Sequence, residues 1–212
     1  LRLPAINVEK GVYPLPDEVS FEEATFIEPL ACALRSQRLA GMQPGKSVLV
    51  IGSGISGLLH IQLARLNGAS SIFATDVVDF RLAVARRFGA DLAVNAKEYS
   101  PKQICAVNSG RKADLVILCA SKKEAILQAL DSLGRGGTVL FFAAADVGVT
   151  VPFPINDLFW RNEITLISSY AASPQEHLEA LELIRSRKVE VKEIITHRLP
   201  LSETALGFKL VA

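Results

Sequence analysis

Residues 47–76 read SVLVIGSGISGLLHIQLARLNGASSIFATD, and this stretch decides the fold. Residues 48–51 are an apolar run without alternation, the pattern of a strand buried on both faces. Three glycines follow at once, Gly52, Gly54 and Gly57, in the spacing G-x-G-x-x-G. Beyond them Ile55, Leu58, Leu59, Leu63 and Leu66 recur at helical spacing, which predicts one apolar helix face. Gly68 lies just past that pattern, where a glycine can close a helix. A second apolar run, 71–75, ends at Asp76.

Each of these residue types has a physical role in holding a dinucleotide. Gly52 makes the tight turn from strand to helix, and Gly54 leaves room for a pyrophosphate to approach the backbone. Gly57 lets the helix pack close to the sheet, and the helix N-terminus offers free N–H groups and a partial positive charge to phosphate. Asp76, about 20 residues on, stands where a carboxylate accepts hydrogen bonds from an adenosine ribose. The glycines alone are a weak signal. Preceded by a strand, followed by a helix and answered by an acidic strand end, they become a specific one.

Composition narrows the class. The chain has 212 residues, half of them apolar, and a net charge of +1, so nothing points to nucleic acid or an acidic substrate. Its three cysteines, Cys32, Cys105 and Cys119, show no C-x-x-C spacing, as expected of free thiols in a reducing compartment. No signal peptide is visible, and the longest apolar stretches are interrupted by glycine or polar residues, so no membrane partner is expected. A soluble, cytoplasmic protein is the expectation. The lack of an initiator methionine at Leu1 and of a closing turn before Ala212 reads as a domain cut from a longer chain.

The rest of the chain keeps a strand–helix rhythm. Residues 1–19 carry Pro4, Pro14 and Pro16 and read as an extended connector. SFEE at 20–23 is a capping box. Pro29 fits the first turn of a helix with Leu30, Ala33, Leu34 and Gln37 on one face, and Pro44-Gly45 turns into the first strand. After Asp76, Asp79 is expected to cap a helix bearing Leu82, Ala85 and Phe88. A strand at 92–94, a weak helix around 100–107 and a buried strand at 114–119 follow. Ser121 is expected to cap a helix with Ala125, Ile126, Ala129, Leu130 and Leu133 inward. Gly134, Gly136 and Gly137 then turn into a strand at 138–143. A short helix near Trp160, a sixth strand at 163–168 and a helix opened by SPQE at 173–176, with Leu178, Leu181 and Ile184 inward, complete the pattern. The fold class is α/β: a Rossmann, doubly wound parallel sheet of six strands with helices on both faces.

Four segments together resemble the zinc-dependent medium-chain dehydrogenases, in particular the branch of sorbitol and threonine dehydrogenases. They are EPLACAL at 28–34, VLVIGSGISG at 48–57, Thr75-Asp76 with Arg81, and ITHRLPL at 195–201. The resemblance spans almost the whole chain. It implies a connector from a GroES-like catalytic domain at 1–27, an NAD-binding Rossmann domain at 28–170, and a last helix with the start of the return at 171–212. It places the pyrophosphate on Gly54, Ile55, Ser56 and Gly57, beside Gly52, and the adenosine ribose on Asp76 and Arg81. Cys119, Ala120 and Ser121 fall where the family lines the adenosine side, and Phe142, Ala143 and Ala144 where it contacts the nicotinamide. Ser168, Ser169 and Tyr170 match a segment that closes over that ring, without the arginine common there in the sorbitol branch. The strand at 138–142 and the loop after it resemble a dimer surface of the family, implying a homo-oligomer, a dimer or tetramer.

Glu28 resembles the glutamate that sits at the catalytic zinc in the sorbitol branch, directly or through water. From the residues alone it reads rather as a solvated helix-end carboxylate beside Pro29. A catalytic zinc takes three protein ligands and an open position, so the rest of the site would lie in the other domain. His60 reads as a packed or surface imidazole, and His197 as structural. The implied activity is hydride transfer between a small secondary alcohol or polyol and NAD, with no catalytic residue in this chain. A short-chain reductase is excluded, because Tyr13, Tyr99 and Tyr170 are followed four residues on by Asp17, Gln103 and Pro174 rather than by lysine. A methyltransferase spaces its glycines more tightly. A nucleotide-sensing regulatory domain uses the same fingerprint and stays open on the sequence.

Overall fold

The computed structural model describes residues 2–211; Leu1 and Ala212, on which the reading of the two ends rests, lie outside them. In chain order the elements are α1 (Ala5–Gly11), α2 (Phe21–Ala24), α3 (Ile27–Leu39), β1 (Ser47–Ile51), α4 (Ile55–Leu66), β2 (Ser71–Asp76), α5 (Asp79–Arg87), β3 (Leu92–Asn95), α6 (Pro101–Val107), β4 (Ala113–Leu118), α7 (Lys123–Ser132), β5 (Leu133–Phe141), α8 (Ile155–Leu158), β6 (Thr165–Ser168), α9 (Pro174–Arg185) and α10 (Thr204–Val211). The strands form one six-stranded sheet in the order β3-β2-β1-β4-β5-β6. Every pairing is parallel. This is the doubly wound arrangement, and its direction reverses between β1 and β4.

Alternate strand residues feed two cores. Val48, Val50, Ile72, Ala74, Leu115, Ile117 and Leu140 face α3, α4, α5 and α9. Leu49, Ile51, Phe73, Val116, Leu118 and Val139 face Ile104 of α6 and Ile126, Ala129 and Leu130 of α7. All five residues of β1 are buried, as its unbroken apolar run requires.

Three of the local signals hold. Ser20 and Ser173 each accept from the backbone of the N3 glutamate, and that glutamate accepts back from the serine. Gly68 adopts φ +78°, and Ala69 N reaches back to Ala64 O at 2.9 Å, closing α4.

Several expectations need correction. Residues 5–11 are helical rather than extended, because Pro4 can precede a first turn and accepts from Asn7 N at 3.0 Å; the helix buries nothing. In α4 the whole middle of the helix, Gly57 to Ala64, is buried, while Ile55 and Leu66 are half exposed. Asp79 is the first residue of α5 and caps nothing, and Ser121 precedes an uncapped α7 start at Lys122. Strand β5 begins at Leu133, with its register shifting between Ala113 and Leu115, so the three glycines lie within the strand. Gly137 is required there, since a Cβ would stand 2.7 Å from Leu133 Cδ1 and 2.8 Å from Gly134 O. Leu178 is exposed, whereas Ile184 and, in part, Leu181 pack inward as expected, together with Ala180. Helix α10, unforeseen in the sequence, follows a 3-10 turn at Leu201–Glu203.

Of the described glycines, Gly57 leaves the least room for a side chain. A Cβ there would meet Gly52 O at 1.9 Å. Gly54, by contrast, has nothing within 4 Å of its would-be Cβ. Gly57→Ala should therefore lose at least ~2 kcal/mol of folding stability, and Gly54→Ala less than about 0.5 kcal/mol. Urea unfolding of the two variants checks this, and equal losses would contradict the packing assigned to Gly57.

Candidate functional site

At the carboxyl ends of β1, β2 and β4 the chain leaves the sheet in three loops, and a cavity of about 750 Å³ opens between them. It lies at the reversal point of the strand order, where α/β sheets take their ligands. Of the residues singled out in the sequence, Gly52, Gly54, Asp76, Arg81, Cys119, Ala120, Ser121, Ala143 and Ala144 line it. Val77, Ala96, Lys122, Glu124, Ala125 and Gln128 also line it.

The glycine loop forms the near wall. Gly52 has φ +92°, and an added Cβ would stand 3.0 Å from the Cys119 carbonyl group, so the β1 and β4 loops can approach only over a glycine. Leu58 N is the first to close onto the helix, on Gly54 O at 2.9 Å. The N–H groups of Ile55, Ser56 and Gly57 therefore have no intrahelical acceptor and stay available to an anion.

Asp76 forms the far wall and also pins the site. Its carboxylate accepts from Ser53 N at 2.7 Å through Oδ2 and from Val78 N at 2.9 Å through Oδ1. It is 6% exposed, and Arg81 Nη1 stands 3.7 Å from Oδ2. The carboxylate thus ties the glycine loop to the turn that opens α5. Gln128 closes the floor, accepting from Thr75 Oγ1 at 3.2 Å and donating to Ala96 O at 3.4 Å. The sequence singled out Gln128 in no way, although an amide between Ala125 and Ala129 of an apolar helix face is the kind of residue that serves a partner across the sheet.

Burial keeps the nearby Cys119 thiol protonated by pushing its pKa well above the usual range, so it is no nucleophile. Phe142 precedes the cavity-lining Ala143, and its ring meets His60 edge-to-face at a centroid distance of 4.7 Å. Ser168 pairs in register with Phe141, so the segments after β5 and β6 leave the sheet side by side. Ile55, Ser56, Gly57, Phe142, Ser168, Ser169 and the exposed Tyr170 do not themselves line the cavity.

Glu28 stands apart from all of this. It is an exposed residue in the first turn of α3, and its Oε1 accepts from Cys32 Sγ at 3.1 Å. Burial first, then the Glu28 carboxylate, push the Cys32 thiol up to about 12. Among the described residues no group of three His, Cys, Asp or Glu side chains could hold a metal ion.

The family model for zinc-binding dehydrogenases matches residues 56–186, well over half of the chain. The chain belongs to the zinc-binding dehydrogenase family. Among curated members it is 31% identical to sorbitol dehydrogenase of Gallus gallus over 93% of its own length and 55% of that enzyme's. Among solved structures of the family it superposes on galactitol-1-phosphate dehydrogenase from Escherichia coli with a TM-score of 0.84 and 29% identity, covering 95% of this chain and 60% of the other. A Sinorhizobium meliloti 1021 structure bound to NADP matches at a TM-score of 0.83 and 28% identity, covering 91% of this chain and 57% of the other. The chain spans about half the length of the curated family members it matches. Among the described residues no helix is long and apolar enough to cross a membrane.

His60 adds a property that the sequence reading did not anticipate. It is fully buried, and desolvation lowers its pKa from 6.5 to about 3. Because the folded form resists the proton, the stabilisation is complete above pH 6.5 and is lost as the pH falls from there towards 3. Between pH 7 and pH 5 the protein should lose about 2 kcal/mol more stability than His60→Leu does. Urea unfolding at the two pH values measures the difference, and identical losses would mean that His60 protonates freely.

Proposed function

We propose that this chain is the dinucleotide-binding part of an NAD-dependent zinc dehydrogenase acting on a small secondary alcohol or polyol. One observation carries the reading. The glycine turn that opens α4, through Gly52 and Gly54, and the buried Asp76 carboxylate line a single cavity, with the free N–H groups of the first helical turn directly after Gly54. In this reading Gly54, Ile55, Ser56 and Gly57 hold the pyrophosphate, with Gly52 leaving room for it. Asp76 takes the ribose hydroxyls, with Arg81 beside it, and Cys119, Ala120 and Ser121 line the adenosine side. Phe142, Ala143 and Ala144 meet the nicotinamide, and Ser168, Ser169 and Tyr170, which leave the sheet beside them, close over it. Residues 28–170 form the binding domain, 1–27 lead into it, and 171–212 lead back.

Glu28 would supply one zinc ligand. The described residues do not complete a zinc site by themselves, so no step of hydride transfer is assigned to them. A complete family member uses zinc to polarise the alcohol oxygen. The contribution of this chain is to hold and orient the cofactor. A cytoplasmic location fits the three free cysteines, and a homo-oligomer fits the likeness of 138–142 to a family dimer surface.

Cofactor choice rests on this chain's own strand end, since one structural neighbour carries NADP. A 2′-phosphate beside Asp76 would set two negative charges within about 4 Å, a repulsion on the order of 4 kcal/mol at an effective dielectric of 20. Val77 and Val78 follow and offer no countercharge. Arg81 is half exposed and already leans on Asp76. We expect NAD to bind at least about tenfold more tightly than NADP, which needs only ~1.4 kcal/mol. In Asp76→Ser that ratio should fall towards one. Calorimetric titration of both cofactors into both proteins tests it, and the ratio is unaffected by any general loosening of the loop. Equal affinities in the parent, or an unchanged ratio in the variant, would overturn the assignment.

A further inference from the structure

His60 sits in the middle of α4 at 0% exposure, and the dinucleotide reading gives it no part. Its neighbours fix which ring nitrogen carries the proton. Gln37 Nε2 donates to the His60 carbonyl oxygen at 2.9 Å, and a carbonyl can only accept. The nitrogen end of that amide is thereby identified, and it stands 3.2 Å from His60 Nδ1. Asn67 Nδ2 donates to the other end, Gln37 Oε1, at 3.1 Å, which agrees. An NH2 group facing Nδ1 makes Nδ1 the bare nitrogen, so the ring proton is on Nε2. Among the described residues Nε2 is buried without a hydrogen-bond partner. Buried N–H groups are rarely left so. What stands against the ring is Phe142, with centroids 4.7 Å apart and planes at 86°. The face of a phenyl ring is negative and accepts an N–H weakly.

We propose that His60 is a positioning residue whose Nε2–H points into the Phe142 ring and holds the turn after β5 in place. That turn is poorly held otherwise. Phe142 N and Ala143 N both donate to the single acceptor Leu118 O, at 3.1 and 2.9 Å, and from Ala144 onward the chain is exposed. Ala143 and Ala144 line the cavity, so the direction of this turn shapes the end assigned to the nicotinamide. The chain of contacts runs Asn67, Gln37, His60, Phe142, from the end of α4 through α3 to the cavity wall. Its functional half rests on the dinucleotide reading, and its geometric half does not.

Two measurements separate the halves. In a long-range ¹H–¹⁵N spectrum of the chain, His60 should be protonated at Nε2 and bare at Nδ1, with the Nε2 proton shifted upfield by the ring current of Phe142. Phe142→Leu should abolish that shift. A proton on Nδ1, or an Nε2 proton indifferent to Phe142→Leu, would overturn the contact. For function, His60→Leu should weaken NADH binding at least fivefold and ADP-ribose binding less than twofold. Phe142→Leu should do the same, and the double variant should be no worse than either single one. Equal weakening of the two ligands, or additive losses in the double variant, would overturn the positioning role. Failure of the parent to bind ADP-ribose would instead refute the dinucleotide reading, and the positioning role with it, whatever the spectrum shows.

Discussion

The fold and its site depend on how closely α4 can sit on the end of β1. The Gly57 backbone lies against Gly52 O so closely that a Cβ would come within 1.9 Å of it. With that approach allowed, α4 covers Val48 and Val50, and its N-terminus, with three N–H groups free of intrahelical acceptors, starts at the cavity-lining Gly54. A helix held even slightly further away would still pack, but it would present its N-terminus to solvent rather than to a ligand. Gly52 does the complementary work across the sheet, since only a glycine lets the β1 loop pass the Cys119 carbonyl.

Asp76 shows how structure and recognition share one carboxylate. Its two oxygens take the Ser53 and Val78 N–H groups, and these bonds fix both the glycine loop and the start of α5. Each carboxylate oxygen has a second lone pair, so the same group can still meet ribose hydroxyls at the cavity surface. In the sequence, Asp76 reads as the ribose ligand and Asp79 as the residue that starts α5. In the structure Asp76 supports the turn before α5 and Asp79 does not, so one residue can serve both purposes.

Much of this was legible because the decisive signals are local. A strand, three glycines and an acidic strand end lie within 30 consecutive residues, and the capping boxes at Ser20 and Ser173 span four each. The same logic was present but unread at Ser100, which forms a third capping box with Gln103, with Pro101 at N1. What stayed hidden depends on tertiary partners. The early start of β5 needs Ala113 as its neighbour. Gln128 acquires meaning only against Thr75 and Ala96, and His60 only against Gln37 and Phe142. Helix periodicity also placed Ile55 and Leu66 inward, whereas α4 is buried on all sides through its middle and exposed at its two ends. Family membership then adds what neither source carries, a zinc-dependent chemistry for which this chain holds at most one ligand.

The central claim is that one dinucleotide spans the cavity from the α4 N-terminus to Asp76. A crystal structure of the chain with NAD tests it most directly. The pyrophosphate should lie within hydrogen-bond distance of the Ile55 and Ser56 N–H groups, with the adenosine ribose on the Asp76 carboxylate and the nicotinamide directed past Phe142. Nucleotide bound at the opposite end of the sheet, around Lys112 and Arg135, or bound with its phosphates away from α4, would contradict it.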